Sequence, residues 1–353
     1  MSEMKSLIED TAGKILKDLS TKEQRERFEE GEWASSLWKT IQESGLTLLG
    51  IEEEKGGVGG DYEDIFAILR VVGKYAAPIP LAEVIYANQF LATHDGEVED
   101  KLRVVHFTEE SSMIQSPYKL MHVPYGRYVD EVIVIRQEGQ QVSYSIVDVL
   151  TGDIEKNANL AAEPRDNLTF LNLGETKKLD LSFKEVLENY TKFLALSRVA
   201  MMTGAMESVL ALSAFYAKER HQFGRPLHRF QAIQHHLTAM AGEVAAAYST
   251  LSVASSFYPS DLGKEQIAMA KIELSANANV VAKAAHQLHA GIGMTYEHEL
   301  HHFTRRLWSW REEAGNETYW ADQLASLYQA REETIWESIT HVKGEETHAG
   351  STV

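Results

Sequence analysis

The sequence predicts an α+β chain in three parts: an N-terminal helical domain over residues 1–100, a small middle β domain over 101–180 and a C-terminal four-helix bundle over 181–341, with a polar tail, 342–353, expected to be disordered. Three observations carry this. Apolar residues recur at helical spacing in the first third. β-Branched and alternating segments replace them in the middle. Long stripes with steady spacings of three and four return after residue 183.

In the first third, Trp33, Leu37 and Ile41 fall four apart until Gly45 breaks the pattern. A short apolar run from Leu46 to Ile51 leads into Gly56-Gly57-Val58-Gly59-Gly60. That run has neither the order of a dinucleotide fingerprint nor a following lysine-serine pair, so it reads as a tight loop. Asp61 is placed to cap the next helix, whose apolar face is Ile65, Phe66, Leu69 and Val72. Pro78 and Pro80 end it, and Leu81 to Leu91 offers another short helix.

In the middle, Val129–Arg136, Val142–Val149 and Leu168–Leu173 read as strands bounded by Gly, Asn and Asp. The bundle follows. Met202, Met206, Val209, Ser213, Tyr216 and Arg220 share one helical face. A second stripe runs through Phe230, Ile233, Leu237, Met240, Val244, Ala247, Leu251 and Ala254, and a third from Ile267 to Leu288, with a break at Tyr258-Pro259-Ser260-Asp261.

Composition bounds the function. With 34 basic and 52 acidic residues the net charge is −18, which disfavours generic nucleic-acid or anionic-membrane binding. An anionic ligand needs a local basic site, and Arg220, Arg225 and Arg229 form the obvious cluster. The absence of cysteine excludes disulfides, thiolate metal sites and thiol nucleophiles. Met1 to Asp10 resembles neither a signal nor a transit peptide, and no stretch approaches the roughly 20 apolar residues of a membrane span, so a cytoplasmic location is expected.

The turn between the first two bundle stripes, Tyr216-Ala-Lys-Glu-Arg220-His-Gln222-Phe223-Gly224-Arg-Pro226-Leu227-His-Arg-Phe230-Gln231, packs a guanidinium, an amide and two aromatics into a few residues. Together with Gln287-Leu-His-Ala-Gly291-Ile-Gly293-Met-Thr295-Tyr-Glu297 and Ile51-Glu-Glu-Glu-Lys-Gly56-Gly57-Val-Gly59, it resembles the acyl-CoA dehydrogenase family, with the motifs in the family's order over nearly the whole chain.

The resemblance implies FAD held between the β domain and the bundle, with a neighbouring subunit completing the site. By motif position Arg220 would contact the diphosphate, Gln222 and Phe223 would follow it on the cofactor, Leu227 and Phe230 would pack near the flavin or adenosine, and Gln287 and Gly291 would lie along the adenosine of the partner's FAD. A guanidinium suits a diphosphate, and glycine allows close backbone approach. Arg220 also suits a plain helix C-terminal cation, and Phe223 and Phe230 also suit core packing. The reaction implied is α,β-dehydrogenation of an acyl-CoA thioester, with electrons passed to an electron-transfer flavoprotein.

The likeness breaks at the catalytic base. Counting from Gln287, the family's usual glutamate position is Ala314, and the alternative position on the first bundle helix is Leu194. Glu313 is then a candidate base, although it and Glu312 also suit a solvated face. In the middle domain, Thr108-Glu-Glu-Ser-Ser112 is at most a remnant of the usual run. Segments such as His122-Val-Pro-Tyr125 are similar to the shortened bacterial members that act on bulky sterol-side-chain or ring acyl-CoAs, some of them heterotetramers in which one kind of subunit lacks the base. A homo-oligomer or such a heterotetramer, the second with this chain as a non-catalytic partner subunit, is expected.

One motif points elsewhere. His298-Glu299-Leu300-His301-His302 satisfies H-E-x-x-H, in which two His on one helix face bind zinc and the Glu activates water, giving a zinc hydrolase as the alternative. Trp308, Trp310, Tyr319 and Trp320 suit packing of the bundle end or the lining of a substrate pocket, and Arg305-Arg306 suits a salt-bridged face or an anion site.

Overall fold

The structure is a computed structural model that describes residues 3–94, 98–108, 116–260, 262–331 and Trp336. The expected tail, Glu109 to Ser112 and Asp261 lie outside the described residues.

Five helices open the chain: α1 (Glu3–Leu19), α2 (Lys22–Glu29), α3 (Ser35–Glu43), α4 (Tyr62–Lys74) and α5 (Leu81–His94). In α3 Leu37, Trp38 and Ile41 are buried, whereas Trp33 precedes the helix and stacks on Tyr128 at 4.8 Å. The glycine-rich loop before α4 folds back on itself, Gly50 N–H donating to Gly59 C=O and Gly59 N–H to Ile51 C=O, both at 2.8 Å. Asp61 then starts α4 with a reciprocal capping box to Asp64, which satisfies two otherwise unpaired helix N–H groups.

Among the described residues seven strands follow: β1 (Arg103–Thr108), β2 (Tyr118–Pro124), β3 (Glu131–Glu138), β4 (Gln141–Asp148), β5 (Asp153–Glu155), β6 (Arg165–Phe170) and β7 (Lys177–Leu179). They form a four-stranded sheet in the order β1-β3-β4-β7 and a three-stranded sheet in the order β2-β6-β5. β1 and β3 pair in parallel, Val104 opposite Val132, and all other pairs are antiparallel. Val132 to Ile135 are all buried because the sheet is covered on both faces, with Phe90 and Leu91 of α5 packed on one of them. The three predicted strands each shift by a few residues. β1, β2, β5 and β7 carried no readable alternation, since they are short or carry polar residues on a bulged edge.

The bundle comprises α6 (Phe183–Glu219), α7 (Gln231–Ser256), α8 (Gly263–His289) and α10 (Glu317–Gln329), with α9 (Leu300–Trp310) packed on α6 and α8. Ser182 and Glu185 cap α6 reciprocally, and its 37 residues give a rod of about 55 Å. By length and composition alone α6 could cross a membrane, yet it is the core helix of the bundle, with 56% of its most apolar window buried. α4 crosses α6 backbone to backbone: a Cβ added at Gly204 would stand 1.9 Å from the Arg70 carbonyl oxygen, and one at Gly73 1.9 Å from that of Met201. This crossing joins the first helices rigidly to the bundle.

Candidate functional site

Two stations on α6 carry the side chains of interest. The first is its C-terminal end. Arg220 leaves the helix in an extended conformation, its N–H still bonded to Tyr216 C=O, and opens a two-residue hairpin between β8 (His221–Gln222) and β9 (Arg225–Pro226). Phe223 and Gly224 form the turn with φ of 52° and 77°, the left-handed pair that a tight hairpin demands and that a bulky side chain resists. Phe223 is 91% exposed. Its ring meets Phe230 edge-on at 6.2 Å, and the Arg225 guanidinium lies 4.1 Å from the Phe230 centroid. Leu227 turns inward against the core. Arg220 is exposed, and its guanidinium has no ion pair or hydrogen bond among the described residues.

The end of α8 reaches the same place. Tyr216 of α6 stacks on His289 of α8 at 4.6 Å, which sets the exposed Gln287 and Gly291 beside the α6 end. A Cβ at Gly291 would meet nothing within 4 Å in this chain, so any need for glycine there comes from a ligand or partner. The second glycine of the pair, Gly293, is structural: its Cβ would stand 2.8 Å from that of His289.

The second station is a cavity of about 400 Å³ at the middle of α6, lined by Leu194, Arg198, Glu83, Asn159, Arg165, Glu313 and Ala314 among others. Glu313 lies in the turn after α9, not on a helix, and is half-buried among charged partners rather than on a solvated face. One of its carboxylate oxygens accepts from Arg165 at 2.5 Å and Asn159 at 3.0 Å, and the other from Arg198 Nε at 2.8 Å. Arg198 also pairs with Glu83 of α5. Burial pushes the Glu313 carboxyl up, but Arg165 and Arg198, with Asn159, pull it down further, to about 2. The same carboxylates raise Arg198 against the cost of its burial. Glu163 continues the series to Arg306 of α9. Behind it the buried Lys271 ammonium donates to the carbonyls of Trp310 and Arg311 at 2.8 and 2.9 Å, and burial followed by repulsion from Arg198 lowers its pKa to about 7. Such a carboxylate is a structural counter-ion and a very weak proton acceptor.

Residues 2–101 match the N-terminal domain of acyl-CoA dehydrogenases and residues 186–326 the C-terminal domain of the same enzymes. The chain belongs to the acyl-CoA dehydrogenase family. It is 28% identical to acyl-CoA dehydrogenase IpdE2 of Mycobacterium tuberculosis over 77% of this chain and 80% of that one. The fold is that of the ChsE4-ChsE5 complex of M. tuberculosis, with a TM-score of 0.81 at 20% identity, covering 94% of this chain and 99% of the other. It is also that of PigA with FAD and proline, with a TM-score of 0.78 at 16% identity, covering 93% and 98%.

As an acyl-CoA dehydrogenase family member, the chain is an oxidoreductase of acyl-CoA type, and its H-E-x-x-H run does not form a helical zinc motif. α9 begins at Leu300, so His298 and His302 do not share a helix face. His298 Nδ1 accepts from Leu300 N–H, Glu299 pairs with Arg25 of α2, and His302 Nδ1 meets Glu29 at 2.8 Å. Arg305 and Arg306 are salt-bridged to Glu29 and Glu163. Trp310 and Trp320 are buried packing residues, and Trp308 stacks on His286 at 5.5 Å.

Sequence reasoning missed Glu83, Arg165 and Arg198, which the fold gathers from α5, β6 and α6. Arg198 had one signal, since it stands one turn beyond Leu194 on the same face of α6. Glu83 and Arg165 had none.

Proposed function

We propose that the chain serves FAD-dependent α,β-dehydrogenation of an acyl-CoA thioester as one subunit of a heteromeric enzyme, in which a related subunit supplies the base and an electron-transfer flavoprotein takes the electrons. One observation carries this reading: the two stations are too far apart to share a cofactor. About 33 Å of helix separates Arg198 from Arg220, whereas the diphosphate of a flavin dinucleotide lies only a ribityl chain from its ring. Arg220 therefore serves a dinucleotide whose ring lies in another subunit.

The residues at the α6 end fit that group. An unpaired guanidinium suits a diphosphate, the exposed Phe223 ring offers a flat apolar face, and Gln222 and Gln287 offer amides. FAD, when bound, supplies the hydride acceptor. In this chain's own cavity, Leu194 and Ala314 stand where the family likeness places a base, and the Glu313 carboxylate is tied to two guanidiniums. This favours the partner-subunit role over independent catalysis. The likeness of His122-Val-Pro-Tyr125 to the shortened family members supports a bulky acyl group, of sterol-side-chain or ring type, as the substrate class.

The test is to purify the chain alone and together with a related subunit, and to follow flavin absorbance on adding acyl-CoA. Flavin that bleaches only in the complex supports the proposal. Turnover by this chain alone would overturn it.

A further inference from the structure

A cavity of about 440 Å³ opens where the corner between α1 and α2 meets the end of α4, the last turns of α6 and the start of α9. Small-molecule sites span about 300–1,000 Å³, so the size suits one. Its lining divides by element. Lys17 of α1, Lys22 and Arg25 of α2 and Lys74 of α4 are basic, against one carboxylate, Glu299. Leu212 and Phe215, one turn apart on α6, and Phe303 of α9 are apolar. Phe215 is 66% exposed.

The positive charge is not fully matched among the described residues. Glu299 pairs with Arg25 and Glu26 with Lys22, while Glu207 pairs with Lys74 at 2.5 Å but is shared with Arg70. The Lys17 ammonium has no ion pair or hydrogen bond. Arg25, its side chain 3% exposed, keeps a buried Nε without a partner. Carbonyls that could quench the cations are taken: Tyr75 C=O accepts from Ser20 Oγ and Arg25, and Lys74 C=O from Ser208 Oγ. The last turn of a helix favours a cation, which accounts for Lys17 on α1 but not for three more cations around the same cavity. On a chain of net charge −18 this is a local reversal of sign.

We propose that this cavity binds a monoanion with an apolar tail, a medium-chain carboxylate, with its head among the lysines and its tail along Leu212, Phe215 and Phe303. One surplus cation matches one carboxylate, whereas the several phosphate charges of a CoA thioester exceed it. A tail laid along α6 covers the Phe215 ring, which otherwise stands in water. The cavity shares no lining residue with the one at Glu313 or with the Arg220 turn, so the inference is independent of the proposed function.

The test titrates the full chain by calorimetry with decanoate, with decanol, which has the tail without the charge, and with inorganic phosphate, which has the charge without the tail. One equivalent of decanoate is expected to bind, at least tenfold more tightly than either of the others. Lys17→Glu and Phe215→Ser replace exposed side chains, so the fold is kept, and each is expected to weaken decanoate at least tenfold. Lys39→Glu, exposed on α3 and outside the cavity, is expected to change nothing. No decanoate binding by the parent chain, decanol or phosphate binding as tight as decanoate, or full binding by either cavity variant overturns the proposal.

Discussion

Arg198 Nε donates to Glu313 at 2.8 Å, and that contact ties the turn after α9 to the middle of α6, beside the cavity that Leu194 and Ala314 also line. Replacing Glu313 tests what it is for. Glu313→Ala leaves two buried guanidiniums without their shared counter-ion, and a loss of about 3–5 kcal/mol in urea denaturation is expected. In the assembled enzyme that still folds, turnover per bound flavin should change by less than tenfold. A loss of several orders of magnitude would restore Glu313 as the base.

Acid should expose the same carboxylate. Its folded pKa, about 2, lies below the ordinary glutamate value of 4.5, so its stabilisation is complete above about pH 4.5 and is lost as pH falls toward 2. A Glu313→Gln chain should show a flatter stability profile than the parent across that window.

Lys271 gives the opposite end of the profile. Its pKa falls from 10.5 to about 7 on burial, so the unfolded chain binds more protons between those values and stability gains from this group as pH rises through them. Lys271→Met should remove that rise, measured as the difference in denaturation midpoint between pH 7 and pH 10.

Arg220→Ala should leave the fold alone, within about 0.5 kcal/mol, because the side chain is exposed and unpaired. FAD retention by the assembled enzyme should fall by about 10–100-fold, the worth of a charge-assisted contact of about 1.5–3 kcal/mol. Flavin absorbance per subunit after gel filtration reads this directly. Undiminished flavin would remove Arg220 from the site.

Phe223→Gly should stabilise the isolated chain by about 1 kcal/mol, since the residue holds a left-handed φ of 52° with almost its whole side chain in water. The same change should weaken subunit association or flavin retention, measured by sedimentation and absorbance. A ring kept in so costly a conformation, with only an edge-on contact to Phe230 in its own chain, points to something outside it.

Much of the architecture was legible because it rests on period. The stripes through Met202 to Ser213 and Ile267 to Leu288 are regular, and burying them requires long packed helices. Asp61 announced α4 through its cap. The edge strands β2 and β5 were not legible, since three to seven half-exposed residues carry too little alternation. The Arg220 turn could be read because its residues are contiguous. The cluster around Glu313 could not, because its members lie between 83 and 313 in sequence and meet only through tertiary packing.

The alternating row Glu83, Arg198, Glu313, Arg165, Glu163, Arg306 has equal numbers of each sign. A single Ala314→Glu change, the obvious way to install a proton acceptor, would bring a surplus anion into a row with no spare cation, at a backbone position with φ of 54°. Regaining that chemistry would take coordinated replacement of several members. On the proposed function, the same balance keeps a base from being installed here by one substitution, so the chemistry would stay with the second subunit.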